Sequence, residues 1–107
     1  MEFWRWMWDD LGELYVFNQG DNSVRVFDLA GGGDAFPVRE IRGLATMLSG
    51  PAAGVIVNGE LYVTNEMGSR ITVFPVNANG DVMPSRVIEG VNTLLNAPIG
   101  ISAGSAI

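Results

Sequence analysis

Apolar positions in this chain fall in short runs of strand length, separated by clusters of Asn, Gly, Asp and Ser. LYVF (14–17) and LYVT (61–64), like VRVF (24–27) and ITVF (71–74), are β-branched and aromatic runs that predict strands. Between the members of each pair lie NQGDNS and NEMGS, whose residues favour tight turns. AGVIV and ELYV flank Asn58-Gly59, the strongest short-range hairpin signal. After the third run of each set come AGGGD and NANGD, then a proline, then a fourth run, VREI (38–41) or SRVI (85–88). No window sustains a 3.6-residue period, so an array of helices is excluded. The runs are nearly continuous in apolar residues rather than alternating, as expected of strands covered on both faces.

Sliding the sequence by 47 residues aligns 12–51 with 59–98 without an insertion, and 17 of the 40 positions are identical. The identities include Leu14/Leu61, Tyr15/Tyr62, Asn18/Asn65, Gly33/Gly80, Asp34/Asp81, Arg39/Arg86, Gly43/Gly90, Thr46/Thr93, Leu48/Leu95 and Pro51/Pro98. A period of this length belongs to helical arrays or to propeller blades, and the strand-forming runs choose the second. The fold class predicted is all-β: two four-stranded antiparallel propeller blades, with the ring completed by oligomerisation.

The pattern P-x-G-I, G-x-L-Y-V-x-N, V-x-V-F, G-D-x-x-P-x-R-x-I-x-G and T-x-L resembles the NHL-type six-bladed β-propeller repeat. The resemblance covers nearly the whole chain beyond the first ten residues and implies six blades per closed ring, where this chain holds about two. It implies no single activity, because such propellers host binding proteins, lactonase-like enzymes and lyases. The chain divides accordingly into a Trp-rich segment (1–11), repeat 1 (12–51), repeat 2 (52–98) and a last segment (99–107). APIGIS (97–102) reads as the innermost strand of a following blade.

Charge and composition narrow the function. Six arginines stand against twelve acids, net −6, with no Lys, His or Cys. The arginines are scattered, at positions 5, 25, 39, 42, 70 and 86, and form no cationic patch for nucleic acid or an anionic membrane. Without histidine there is no Ser-His-Asp triad and no His-ligated zinc. Without cysteine there is neither a disulfide nor a thiolate site, and any redox compartment suits the chain. No apolar stretch is long enough to span a membrane as a helix. MEFWRWMWDD lacks the basic start, long apolar run and small-residue cleavage site of a signal peptide. A soluble protein is expected, its compartment open.

Asn18, Gln19, Asn65 and Glu66 are the candidate ligand-binding residues, because the loops they open share one mouth of a propeller channel. For Asn18 and Asn65 themselves the preferred reading is structural, as side-chain caps on the following turns, because they recur at the same place in both repeats. Asp34 and Asp81 follow a glycine and precede a proline, which suits turn chemistry better than a calcium site needing about six oxygens. Arg39 and Arg86 are expected to reach carboxylates of a neighbouring blade. Trp4, Trp6 and Trp8 alternate as a strand would, and serve either as a ligand platform or as subunit packing. No catalytic residue, metal or cofactor is assigned.

Two blades cannot close a ring. Four strands at ~4.8 Å spacing, each ~5 residues long, give a blade face of roughly 300 Å², the size at which an exposed apolar face demands a partner. Three chains supply six blades, so a homotrimer is expected. The tail from Ala97 or the Phe3–Trp8 segment would supply the inner strand of repeat 1. The function expected is a non-enzymatic binding scaffold. The alternatives are a lactonase-like hydrolase with a calcium-type site in the channel, for which Glu66 is the carboxylate nearest the mouth, or a piece of a longer propeller.

Overall fold

The computed structural model describes residues 12–105. Seven strands form two antiparallel sheets. Sheet 1 contains β1 (Glu13–Asn18), β2 (Ser23–Asp28) and β3 (Arg39–Arg42), and sheet 2 contains β4 (Pro51–Val57), β5 (Glu60–Asn65), β6 (Arg70–Pro75) and β7 (Arg86–Ile88). Strands are adjacent in sequence order within each sheet, as short turns between consecutive runs dictate. Asn58 (φ 50°) and Gly59 (φ 77°) both have positive φ and turn β4 into β5, as the hairpin signal required.

The registers match across the repeat. Leu14 opposes Phe27 and Tyr15 opposes Val26 in sheet 1, while Leu61 opposes Phe74 and Tyr62 opposes Val73 in sheet 2. The backbone repeats down to single torsions: φ is 55° at Asn22 and 48° at Ser69, 62° at Met47 and 61° at Leu94, 131° at Gly43 and 121° at Gly90. Two three-residue 3-10 helices, Leu44–Thr46 and Val91–Thr93, interrupt the all-β pattern. They account for the repeated T-x-L. Thr46 Oγ1 donates to Gly43 O (2.6 Å) and accepts from Leu48 N (3.2 Å), and Thr93 does the same between Gly90 and Leu95.

The sheets pack face to face. Successive side chains of a strand point to opposite faces, so one face of sheet 1 carries Tyr15, Phe17, Val24, Val26 and Ile41. The facing side of sheet 2 carries Leu61, Val63, Phe74 and, from β4, Gly54. Val24, Ile41 and Leu48 bury themselves against Leu61, Val63, Phe74 and Ala78, with Tyr15, Phe17 and Val82 at the margin. Gly54 is what lets the Phe17 ring in: a Cβ there would lie 2.5 Å from Phe17 Cζ.

The tail from Ala97 to Ser105 forms no strand within the described chain. Its entry is nonetheless fixed, because Ala97 N donates to Ser69 Oγ (3.0 Å) just as Gly50 N donates to Asn22 Oδ1 (2.7 Å) one repeat earlier. The Phe3–Trp8 segment and its tryptophans lie outside the described residues.

Candidate functional site

The loop from β1 to β2 and the loop from β5 to β6 lie side by side at one end of the paired sheets. Gln19 Nε2 donates to Glu66 Oε1 at 2.8 Å, joining residues 47 apart at equivalent places in the two repeats. Three of the four predicted site residues are therefore reachable from solvent, with Gln19 exposed and Asn18 and Glu66 partly so.

Asn65 is placed differently from the other three. It is fully buried. Its Oδ1 accepts from Ser49 N (2.9 Å), and its Nδ2 donates within reach of Val63 O (3.2 Å) and Thr72 Oγ1 (3.1 Å). A buried amide must be paired to offset its desolvation, and here it ties β5 to the strand entry before β4. Among the described residues Asn18 makes one long contact, Nδ2 to Ser23 Oγ at 3.5 Å. Arg25 occupies the position of Thr72 in sheet 1 and holds a small ionic cluster with Asp21 (2.9 Å) and Glu40 (2.7 Å). The Arg25 guanidinium and the Ser23 hydroxyl lower the Asp21 pKa below the usual carboxylate range.

The arginines reach carboxylates of their own sheet rather than of the neighbouring one. Arg39 pairs with Glu13 (2.8 Å), and Arg86 stands 3.9 Å from Glu60 while donating to Tyr62 Oη (2.7 Å). Cross-strand geometry explains these pairings, because each arginine sits two strands from the glutamate on the same face, within a side chain's length. The bidentate Arg39 contact lowers the Glu13 pKa and raises that of Arg39, while burial raises that of Tyr15. What Arg39 sends across the joint is one Nη2–H to Val76 O, at 3.2 Å.

Asp81 is not turn chemistry alone. Its Oδ1 accepts from Ala45 N at 2.9 Å, in the other repeat, and its carboxylate rests on Gly43, where any Cβ would overlap it. Beside it, Gly80 N donates to Glu40 O, Arg42 N donates to Gly80 O (3.2 Å), and Asn79 Oδ1 accepts from Glu40 N (2.9 Å). These bonds clip the 77–81 loop to β3. A repeated glycine opposite a repeated aspartate was the sequence signal for the clip, but the two lie 38 residues apart and nothing local links them.

Among the described residues, no three His, Cys, Asp or Glu side chains converge to hold a metal ion. None of the described helices is long and apolar enough to cross a membrane. No protein-family model, curated protein or solved structure matches the chain.

Proposed function

We propose that the chain is a two-blade unit of a β-propeller binding scaffold, that three copies close a six-bladed ring, and that ligand sits at the mouth formed by the Asn18–Ser23 and Asn65–Arg70 loops. One observation carries this reading. Two sheets with the same register pack face to face, each with its equivalent loop at the same end, joined by Gln19 and Glu66. Repeating that step is what builds a propeller, and repeating the loops around an axis builds its mouth.

Within the site the residues divide by burial. Asn65 positions the loop, and Gln19 and Glu66 present an amide and a carboxylate to solvent, a surface suited to a polar ligand carrying hydrogen-bond donors. The scaffold reading is preferred to the hydrolase because the described residues bring no three His, Cys, Asp or Glu side chains together to hold the calcium-type ion that the hydrolase needs. The test is the mass in solution. Light scattering should find three chains of 11.5 kDa, about 34.5 kDa together; a monomer at micromolar concentration would refute the ring.

A further inference from the structure

We infer that a second copy of this chain docks on the outer face of sheet 2 by the same head-to-tail joint that already fastens sheet 2 to sheet 1. In that joint the Asp34 carboxylate of one copy seats on Gly90 and Asn92 of the other, and the Pro98–Gly104 tail of that other copy adds a strand to the edge of β1 away from β2. Only the closure of such joints into a ring rests on the propeller reading; the joint is derived from the repeat.

Both halves of the internal joint recur on the outside, where no further sheet of the described residues covers them. The face that sheet 2 buries has its counterpart on the outside of sheet 1: Leu61 and Val63 are 1% and 0% exposed, whereas Leu14 and Val16 are 47% and 39% exposed. The face that sheet 1 buries, with Val24, Ile41 and Leu48, recurs on the outside of sheet 2 as Ile71, Ile88 and Leu95, all only half-buried, around Val73 and Thr64, which the chain already buries. A face that is buried once and repeated once is complementary to its own chain. Such a contact is heterologous, one patch against a different one.

The polar clip recurs as well. Asp34 stands where Asp81 stands, and Asn92 where Ala45 offers its N–H. Gly90 repeats Gly43 with the same extended positive φ, and none of the described residues lies within 4 Å of where its Cβ would be, whereas at Gly43 that space is filled by Asp81. The space at Gly90 matches the carboxylate that fills it one repeat earlier.

The strand edge completes the match. Among the described residues β1 is paired on one side only, whereas its counterpart β5 is paired on both. Translated by one repeat, the pairing of β4 with β5 places Ala103 opposite Leu14, as Ile56 lies opposite Leu61. The tail enters correctly for this, since Ala97 (φ 49°) and its bond to Ser69 reproduce Gly50 (φ 69°) and its bond to Asn22. Side-chain size follows too. Where Gly54 makes room for Phe17, the tail has Ile101, and the residue at the Phe17 position is the small Thr64. Large opposite small has been exchanged for small opposite large.

Joining two such faces buries roughly 600 Å², below the ~1,200 Å² of a stable two-body complex. The tail strand and ring closure must supply the rest, and a covalent trap is the suitable assay. The chain has no cysteine of its own. Leu14→Cys and Ala103→Cys, made as separate variants of the full chain and mixed under mild oxidation, should give a 1:1 disulfide-linked pair near 23 kDa, two chains of 11.5 kDa. Leu14→Cys mixed with Ser102→Cys, one residue out of register and so on the opposite face, should give at least tenfold less. Asp34→Arg should raise the concentration for half-assembly at least tenfold and leave the circular dichroism of the chain unchanged. No Leu14–Ala103 link, equal yield from the slipped pair, or unchanged assembly of Asp34→Arg would each overturn the joint. A link without the 34.5 kDa mass overturns the ring and keeps the joint; the mass without the link does the reverse.

Discussion

Gly54→Ala tests whether the packing of the two sheets depends on a missing side chain. The added Cβ would sit 2.5 Å from Phe17 Cζ, 2.8 Å from Cε1 and 2.9 Å from Tyr62 O. Real Cβ atoms do not approach so closely, so the ring must move or β4 must shift. Inserting one methyl group into a packed contact costs ~1–3 kcal/mol, and a clash shared by a ring and a backbone oxygen places the expected loss near the middle, about 2 kcal/mol. Phe17→Thr alone loses apolar burial, ~1–2 kcal/mol for a half-buried ring. The double variant removes the ring clash and leaves only the contact with Tyr62 O. The two changes should therefore couple by about 1 kcal/mol, the double variant being more stable than the sum of the singles predicts. Urea unfolding of the four proteins at one fixed protein concentration measures this, the fixed concentration holding any association term constant. Coupling under ~0.3 kcal/mol would refute the account of Gly54 as the seat of Phe17.

Two further outcomes follow from the site. Asn65→Ala should cost ~2–3 kcal/mol in the same assay, because it strands a backbone N–H and a buried hydroxyl; a neutral result would return Asn65 to the ligand site. Glu13 has its folded pKa lowered by Arg39, so its stabilisation is fully present above the unfolded value, about 4.3, and is lost as pH falls through the lower folded value. The melting-temperature difference between wild type and Glu13→Gln should thus persist at neutral pH and close in acid below pH ~4.3; a difference that widens in acid would contradict the assignment.

The sequence by itself determined the strands of the two sheets, their order and their turns, but not the state of the 97–102 run, which reads as a strand and forms none within the described chain. Those features rest on local chemistry: β-branched runs favour extended backbone, and Asn58-Gly59 tolerates the positive φ of a tight hairpin. The repeat also made the doubling of the structure legible, because 17 shared identities across one period imply one backbone used twice. The partners of the repeated polar residues were not legible. Asp81 reads locally as part of a Gly-Asp turn and acts on Ala45, and Arg39 reads as a bridge between sheets and pairs with Glu13 in its own. The two 3-10 helices are not legible in the sequence because three residues carry no periodicity. Asn18 and Asn65 are the same residue in the same motif, yet one is half-exposed with a single long contact and the other is buried with its amide paired. Tertiary structure alone decided that, since among the described residues it is Asn65 that has repeat 1 lying against it to supply Ser49, and burial is a property of what packs on a residue rather than of the residue.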